Sequence, residues 1–487
     1  MAPSRRAETP IERHVWVVAG VVILGMIMSI LDTTIVNVAL ATLARDLHSG
    51  VAAVQWVITG YMLALGATIP LTGWAARRFG AKPTYMVSLV LFTVGSAACG
   101  LSSAIGPLIA FRVLQGVGGG MLMPVAMIIM AEVAGPQRMG RVMGVVSMPA
   151  MIAPILGPVL GGVIVQSLHW SWIFFVNVPV GVLALAMAAR MLPHTDSGEA
   201  GPLDLRGLLL LSSGLVGFTF GISELGAGAP IGSLKVLLGG LLGLALMGAF
   251  LASSSRAARP LLDLRLYRSR IYSGAAFTTL GASAALFGAM ILIPLYYQVV
   301  RGDSVIAAGL LTVPQGLGAL VAMPLAGRIS ERLGGGRVAV AGVLLLSIST
   351  VPLAFLGART SLVYISAILL VRGLSIGLCF MPAMTAAFAA LRPEQVSDAS
   401  PQLNVLQRIG GAVGTAIVAA VLAGASRQAR TPAALAHAYD KTYWVALAIA
   451  ALSLLPALLL LRAERADVRE RSAGEQHPQA ALEGAGL

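Results

Sequence analysis

The chain has 487 residues, 57% of them hydrophobic and 11% charged, with a mean hydropathy of +0.87. Soluble domains run at roughly 45–50% apolar and 25% charged residues, so a string of soluble domains is excluded for want of polar surface. The composition is that of a polytopic membrane protein. A net charge of +13 raises nucleic acid as a partner, but the cations sit in short gaps between apolar runs, with no basic helix and no interleaved aromatics. No nucleic-acid partner is expected.

Cys99 and Cys379 each stand alone within an apolar run, and no histidine lies in mid-span. Neither a disulfide nor a metal site is therefore predicted. A Walker-type phosphate loop is also absent, so no nucleotide or other cofactor is expected.

Apolar runs of about 20 residues are long enough to cross a bilayer core of roughly 30 Å. Fourteen occur in chain order: 15–38, 52–73, 84–103, 106–133, 142–166, 172–193, 205–225, 233–254, 271–298, 305–327, 338–357, 361–390, 401–424 and 443–462. The first follows Arg5, Arg6 and Arg13 and precedes Ala39-Leu40-Ala41, as a signal peptide would. It is too long for a signal core and carries Asp32, so a retained span is expected. With the N-terminus inside, and residues at span ends counted with the adjoining loop, the inner loops and tails hold 23 Lys and Arg and the outer loops 7; Arg112, Arg372 and Arg408 lie deeper within spans. Positive loops stay cytoplasmic, which puts both termini in the cytoplasm. Trp16, Trp74, Trp170, Trp172 and Trp444 fall at span ends, as an interfacial belt requires.

The expected organisation is a cytoplasmic tail (1–14), a six-helix bundle (15–193), two inserted helices with flanking loops (194–270), a second six-helix bundle (271–462) and a disordered polar tail (463–487). An internal repeat supports this division. PLTGWAARRFGAK at 70–82 returns as PLAGRISERLGGGR at 324–337, and Arg112 followed by MPVAM returns as Arg372 followed by MPAM. Repeated halves place a substrate path at their interface near the membrane centre.

Five motifs in order carry a family resemblance: LDTTIVNVAL (31–40), FRVLQGVGGG (111–120), APILGPVLGG (153–162), IPLYYQVVRG (293–302) with AGLLTVP (308–314), and LQRIGGAVGTA (406–416). The chain resembles the fourteen-span drug:proton antiporters of the major facilitator superfamily, although Ala41 stands where that branch usually has proline. The resemblance covers essentially every span. It implies an all-α membrane protein with the major facilitator fold, 14 transmembrane helices forming two six-helix repeats plus two inserted helices. It also implies a monomer in lipid that exchanges protons for hydrophobic, often cationic small molecules, and no enzyme.

Asp32 is the sharpest single residue, since an ionised carboxylate at mid-bilayer costs about 2.5–3.5 kcal/mol on insertion scales. Burial favours its protonated form and a nearby cation its charged form, the alternation that antiport requires. At 1.5 Å per residue, Arg112 falls at the same depth on a neighbouring span. Proton coupling through Asp32 and Arg112 is the expectation; a permanent structural ion pair is the competing reading. Arg372 stands at the repeat-equivalent position with no assigned role.

Pro154, Gly157, Pro158, Gly161 and Gly162 form the candidate span-five gating motif, with small residues for close helix approach and two missing backbone donors; tight packing alone is the other reading. Asn37, Tyr61, Gln115, Tyr296, Gln298, Gln315, Asn404, Gln407 and Arg408 are candidates to line the cavity, with ordinary interhelical hydrogen bonding as the alternative. In the loop between spans two and three, Gly73, Arg77, Arg78 and Gly80 resemble the family's cytoplasmic latch, but Arg77 replaces its aspartate. The second copy keeps an acid there, Glu331, beside Arg332. Glu132 is the candidate substitute, pairing with Arg77 or Arg78, with a plain solvated loop as the alternative reading.

The near rival to a drug exporter is a dedicated exporter of one metabolite or antibiotic on the same machinery. An intramembrane enzyme would need clustered carboxylates or a His–Glu metal pair, and no span holds two acids near each other.

Overall fold

The structure, a computed structural model, describes residues 11–483 apart from 136–137, 147–148, 194–200, 227–228, 230–231, 258–259, 358, 393–394 and 427–430. All regular structure among the described residues is helical. A helix satisfies every backbone polar group within its own segment, as a bilayer core demands.

The first half comprises α1 (Arg13–Asp46), α2 (Val51–Thr68), α3 (Leu71–Phe79), α4 (Ala81–Gly100), α5 (Ile105–Ala134), α6 (Met139–Val146), α7 (Pro149–Ser167), α8 (Trp172–Phe175) and α9 (Asn177–Met191). The inserted segment supplies α10 (Leu205–Gly226), α11 (Leu234–Leu237) and α12 (Gly243–Ser254). The second half comprises α13 (Arg270–Met290), α14 (Leu292–Leu295), α15 (Val305–Leu311), α16 (Val313–Leu333), α17 (Gly335–Thr350), α18 (Leu362–Ala389), α19 (Val396–Ser426), α20 (Pro432–Leu452) and α21 (Leu454–Glu483).

Twelve described helices are long and apolar enough to cross a membrane, or thirteen when the pair α2–α3, bent by 56°, is taken as one span. Pro70 stands at that bend and lacks the N–H a continuous helix would use. The expected span 142–166 corresponds to α6 and α7, which flank residues outside the description. The tail differs from expectation: α21 runs on to Glu483, where 463–487 reads as disordered. Ala, Arg, Glu and Gln dominate that stretch and have high helix propensity, so low hydrophobicity alone does not prevent a helix.

The two halves pack alike. In the first, α1 lies on α7, α2 on α5 and α4 on α5; in the second, α13 lies on α19, α16 on α18 and α17 on α18. The repeated loops also fold alike. Gly80 (φ 90°) and Gly334 (φ 87°) are each the single residue between two helices. That left-handed conformation is open to glycine and strained for other residues.

The inserted helices form a hairpin. Gly214 and Gly221 of α10 meet the hairpin's second arm at Gly243 and Gly239 with no room for a Cβ, and Gly217 lies in van der Waals contact with both, so the two backbones touch. On its other side α10 leans on α2 and on α19, one helix from each half. The Ser212 hydroxyl donates to the Ala67 carbonyl at 2.6 Å, fastening α10 to the first half.

Candidate functional site

Asp32 sits in α1 where the polar run Asp-Thr-Thr interrupts an apolar helix. Thr33 and Thr34 turn their hydroxyls back to the carbonyls of Ile30 and Leu31 at 2.6 and 2.9 Å, so neither hydroxyl needs water. Gly157 and Gly161 of α7 leave space for Thr34 and Ile35, bringing the expected gating motif onto the turn that carries Asp32. Gly162 faces open space instead, and the side chains of Pro154 and Pro158 lie outside the description.

The carboxylate is fully satisfied. Arg112 Nη1 donates to Asp32 Oδ2 at 2.5 Å, and Asp32 Oδ1 accepts from Gln115 Nε2 at 2.9 Å and Asn177 Nδ2 at 3.2 Å. Arg112 Nη1 also donates to Gln115 Oε1 at 2.8 Å, and Arg112 Nε to the Val57 carbonyl at 3.0 Å. The guanidinium carbon stands 4.1 Å from the Tyr61 ring centroid and 5.6 Å from that of Phe174, within cation–π range. Asp32 is 0% and Arg112 1% exposed, so the pair is closed to solvent. Desolvation on this scale is offset only when an ion pair carries further hydrogen bonds, as this one does.

Gln115, expected in the cavity, belongs to this network. One helical turn from Arg112, it shares that residue's face. Asn177 was missed by the sequence reading. It opens α9 and also donates to the Ser96 hydroxyl at 3.1 Å. Its signal was a lone amide inside an aromatic run, masked by the interfacial tryptophans beside it. The GVGGG run has a packing role: a Cβ at Gly116 or Gly120 would strike α2, and one at Gly118 would strike α4.

The second half builds no such ion pair. Arg372 is 2% exposed, but its described partners are the Thr350 hydroxyl at 2.5 Å and the Ala285 carbonyl at 3.5 Å. Arginine is kept at the repeat-equivalent position while the acid is not.

The remaining polar candidates separate. Tyr61 is buried, its ring under Arg112 and its hydroxyl 3.4 Å from the Ser29 hydroxyl. Tyr296 packs among Tyr297, Tyr439 and Tyr443, and its hydroxyl donates to the Gly357 carbonyl at 2.7 Å, which makes it a core residue. Gln298, Gln315 and Gln407 are half-buried. Asn37 is exposed and donates to the Thr33 carbonyl at 3.2 Å. Asn404 reaches across to the first half, with Nδ2 3.9 Å from the Met127 sulfur. Arg408, one turn further along α19, is exposed and makes no hydrogen bond or ion pair among the described residues.

The basic loops meet across the halves. Gly73 packs so closely on Ser397 that a Cβ would collide with its carbonyl, and Arg77 pairs with Asp398 of α19. The partner of Arg77 is therefore Asp398, not Glu132 as the sequence suggested. Asp398 lies just before the run that reads as span thirteen, in the turn by which α19 begins early. In the other copy, Glu331 pairs with Arg141 of α6 at 2.9 Å. The two contacts match in position and are opposite in polarity. Arg78 and Arg332 are exposed at the same face, and Glu132 is exposed at the end of α5.

The chain matches the Major Facilitator Superfamily over residues 22–415. It is 42% identical over 407 residues to the Multidrug resistance protein B homolog of Mycobacterium tuberculosis (strain ATCC 25618 / H37Rv), which covers 83% of this chain and 75% of that protein. With the Multidrug export protein EmrB of Escherichia coli (strain K12) it shares 30% identity over 402 residues, 81% of this chain and 77% of that protein. The solved structure of the human organic anion transporter MFSD10 (TETRAN) matches with a TM-score of 0.63 at 18% identity, over 93% of this chain and 100% of that one. At that identity the likeness is one of fold. Together with the multi-pass helical architecture, these matches show that the chain belongs to the Major Facilitator Superfamily, within its multidrug efflux transporter family, a family of membrane transporters and not of enzymes.

Proposed function

We propose that the protein is a proton-coupled exporter of hydrophobic small molecules working by alternating access. It crosses the cell membrane fourteen times, as two six-helix repeats and an inserted pair, with both termini in the cytoplasm, and acts as a monomer in lipid. The observation that carries this reading is the Asp32–Arg112 pair, closed to solvent on a turn of α1 whose next residues, Thr34 and Ile35, pack against the glycines of α7. Protonation would remove the charge that holds Arg112 Nη1, leaving the guanidinium with Gln115 and the Val57 carbonyl. The bundle would then relax around α1, α5 and α7, and release of the proton on the other side would restore the pair. The export names of the relatives supply the direction.

The test is dye efflux in proteoliposomes under an imposed pH gradient, with a panel of anionic, neutral and cationic dyes. Wild-type protein should drive at least one dye uphill, and a protonophore should stop it. Asp32→Asn, at matched protein amounts, should lose uphill efflux by tenfold or more, since an amide keeps the shape but exchanges no proton. Wild-type rates in that variant would remove Asp32 from the mechanism.

A further inference from the structure

The ionised side chains within the spans do not suit the cationic substrates that the family resemblance leads one to expect. Asp32 is neutralised by Arg112 and closed to solvent. Asp398 is held by Arg77 at the basic face. Arg372 is buried inside the second half. Among the described residues, Arg408 remains as the ionised side chain in mid-span that is solvent-accessible and without a partner.

Its position follows from its own helix. Lower on α19, the Ser400 hydroxyl donates to the Pro124 carbonyl at 3.0 Å and Asn404 touches Met127, so α19 is seated on α5 through that stretch. Residues four apart lie on one face of a helix, about 6 Å apart along its axis. Arg408 therefore stands one turn above the place where the halves close, on the face that looks at the first half. Tyr61 of α2, itself fully buried, lies within electrostatic reach of Arg408 as well as of Arg112 and Asp32. A side chain that protein surrounds, that feels a buried residue of the opposite half and that is still open to solvent faces an internal cavity. An unpaired guanidinium there presents its N–H fork to a planar anion and repels a cation.

We infer that Arg408 is a substrate-recognition residue, and that the preferred substrates are amphiphiles carrying a carboxylate or sulfonate beside an apolar body. The inference rests on the exporter reading above and names the chemical class that its cavity selects. The anionic head sits on Arg408, and the apolar body lies along the apolar surface of the neighbouring helices. Binding the head supplies the counter-charge that Arg408 lacks in the empty protein.

The experiment is fluorescence titration of the purified full-length protein with two probes that share a dansyl fluorophore, one bearing a carboxylate and the other trimethylammonium. The wild type should bind the carboxylate probe at least tenfold more tightly than the cation. Arg408→Gln should lower that ratio at least tenfold, and Arg408→Lys should retain most of it, because a point charge survives the loss of the fork. Equal affinity of the two probes for the wild type would overturn the inference, as would a ratio unmoved by Arg408→Gln. A variant that loses both probes in proportion marks a structural role and overturns it too. Binding is read without any gradient, so failure of proton-driven transport in vesicles leaves this result standing, and the reverse also holds.

Discussion

Asp32 and Arg112 neutralise each other where water does not reach, and neither can be removed alone without stranding the other. Loss of one partner of a buried pair costs about 3–5 kcal/mol, whereas removal of both leaves no naked charge. Asp32→Asn and Arg112→Gln should each lower stability by about that amount, and the double variant should cost well under the sum. Thermal or denaturant unfolding of the purified variants completes the cycle. Additive losses would mean that the two residues do not hold each other. Both were legible in the sequence because an ionised residue in an apolar run stands out by composition alone. Gln115 was legible as polar but not as a member of the pair. Asn177 was hidden because the chain there reads as the end of a span, and only folding brings α9 against α1.

Between elements, the informative contacts are the two ion pairs that cross from one half to the other. Arg77 with Asp398 and Arg141 with Glu331 join the two halves at the basic face, one from each copy of the repeated loop, and would act there as a latch. The loops themselves, with Gly80 and Gly334 as their turns, could be aligned from sequence. Their partners could not, since Asp398 lies 321 residues from Arg77 and no spacing rule spans that distance. Each pair is partly exposed and contributes about 1 kcal/mol, roughly a fivefold bias between closed and open forms. Arg77→Gln should therefore raise the labelling rate of a cysteine placed at Ser400, beneath the closed face, about fivefold. The native thiols Cys99 and Cys379 are buried and give little background. Exchanging the charges, as Arg77→Asp with Asp398→Arg, should return labelling to its original rate. If the exchanged pair labels as fast as the single variant, the contact is not a latch.

For the molecule as a whole, charge bookkeeping decides which gradient does work. Each elementary charge moved through the membrane potential is worth about 2.3 kcal/mol per 100 mV. One proton entering against one anion leaving moves two charges, or about 4.6 kcal/mol per 100 mV; a neutral substrate moves one, and a monovalent cation none. Efflux of a carboxylate dye should thus respond to potential twice as steeply as that of a neutral dye, and a cationic dye should follow the pH gradient alone. Ionophores that collapse each gradient separately in proteoliposomes give the comparison. A carboxylate dye indifferent to potential would exclude one-for-one exchange of a proton and an anion. At this scale the sequence was most readable, because span lengths, loop charges and the repeat are properties of long stretches. The tail helix and the break at Pro70 are local matters of propensity and backbone geometry, which averaging over a window does not register.

The inserted hairpin has a mechanical consequence. A strap laid across two bodies that rock against each other must slide on one of them. The Ser212–Ala67 hydrogen bond anchors α10 to the first half, so the sliding surface is its contact with α19. The hairpin then travels as ballast with the first bundle. If the halves rock as proposed, the joint beside α19 is where the second bundle would shear past the hairpin, and resistance along that one helix face would enter the turnover of the whole machine.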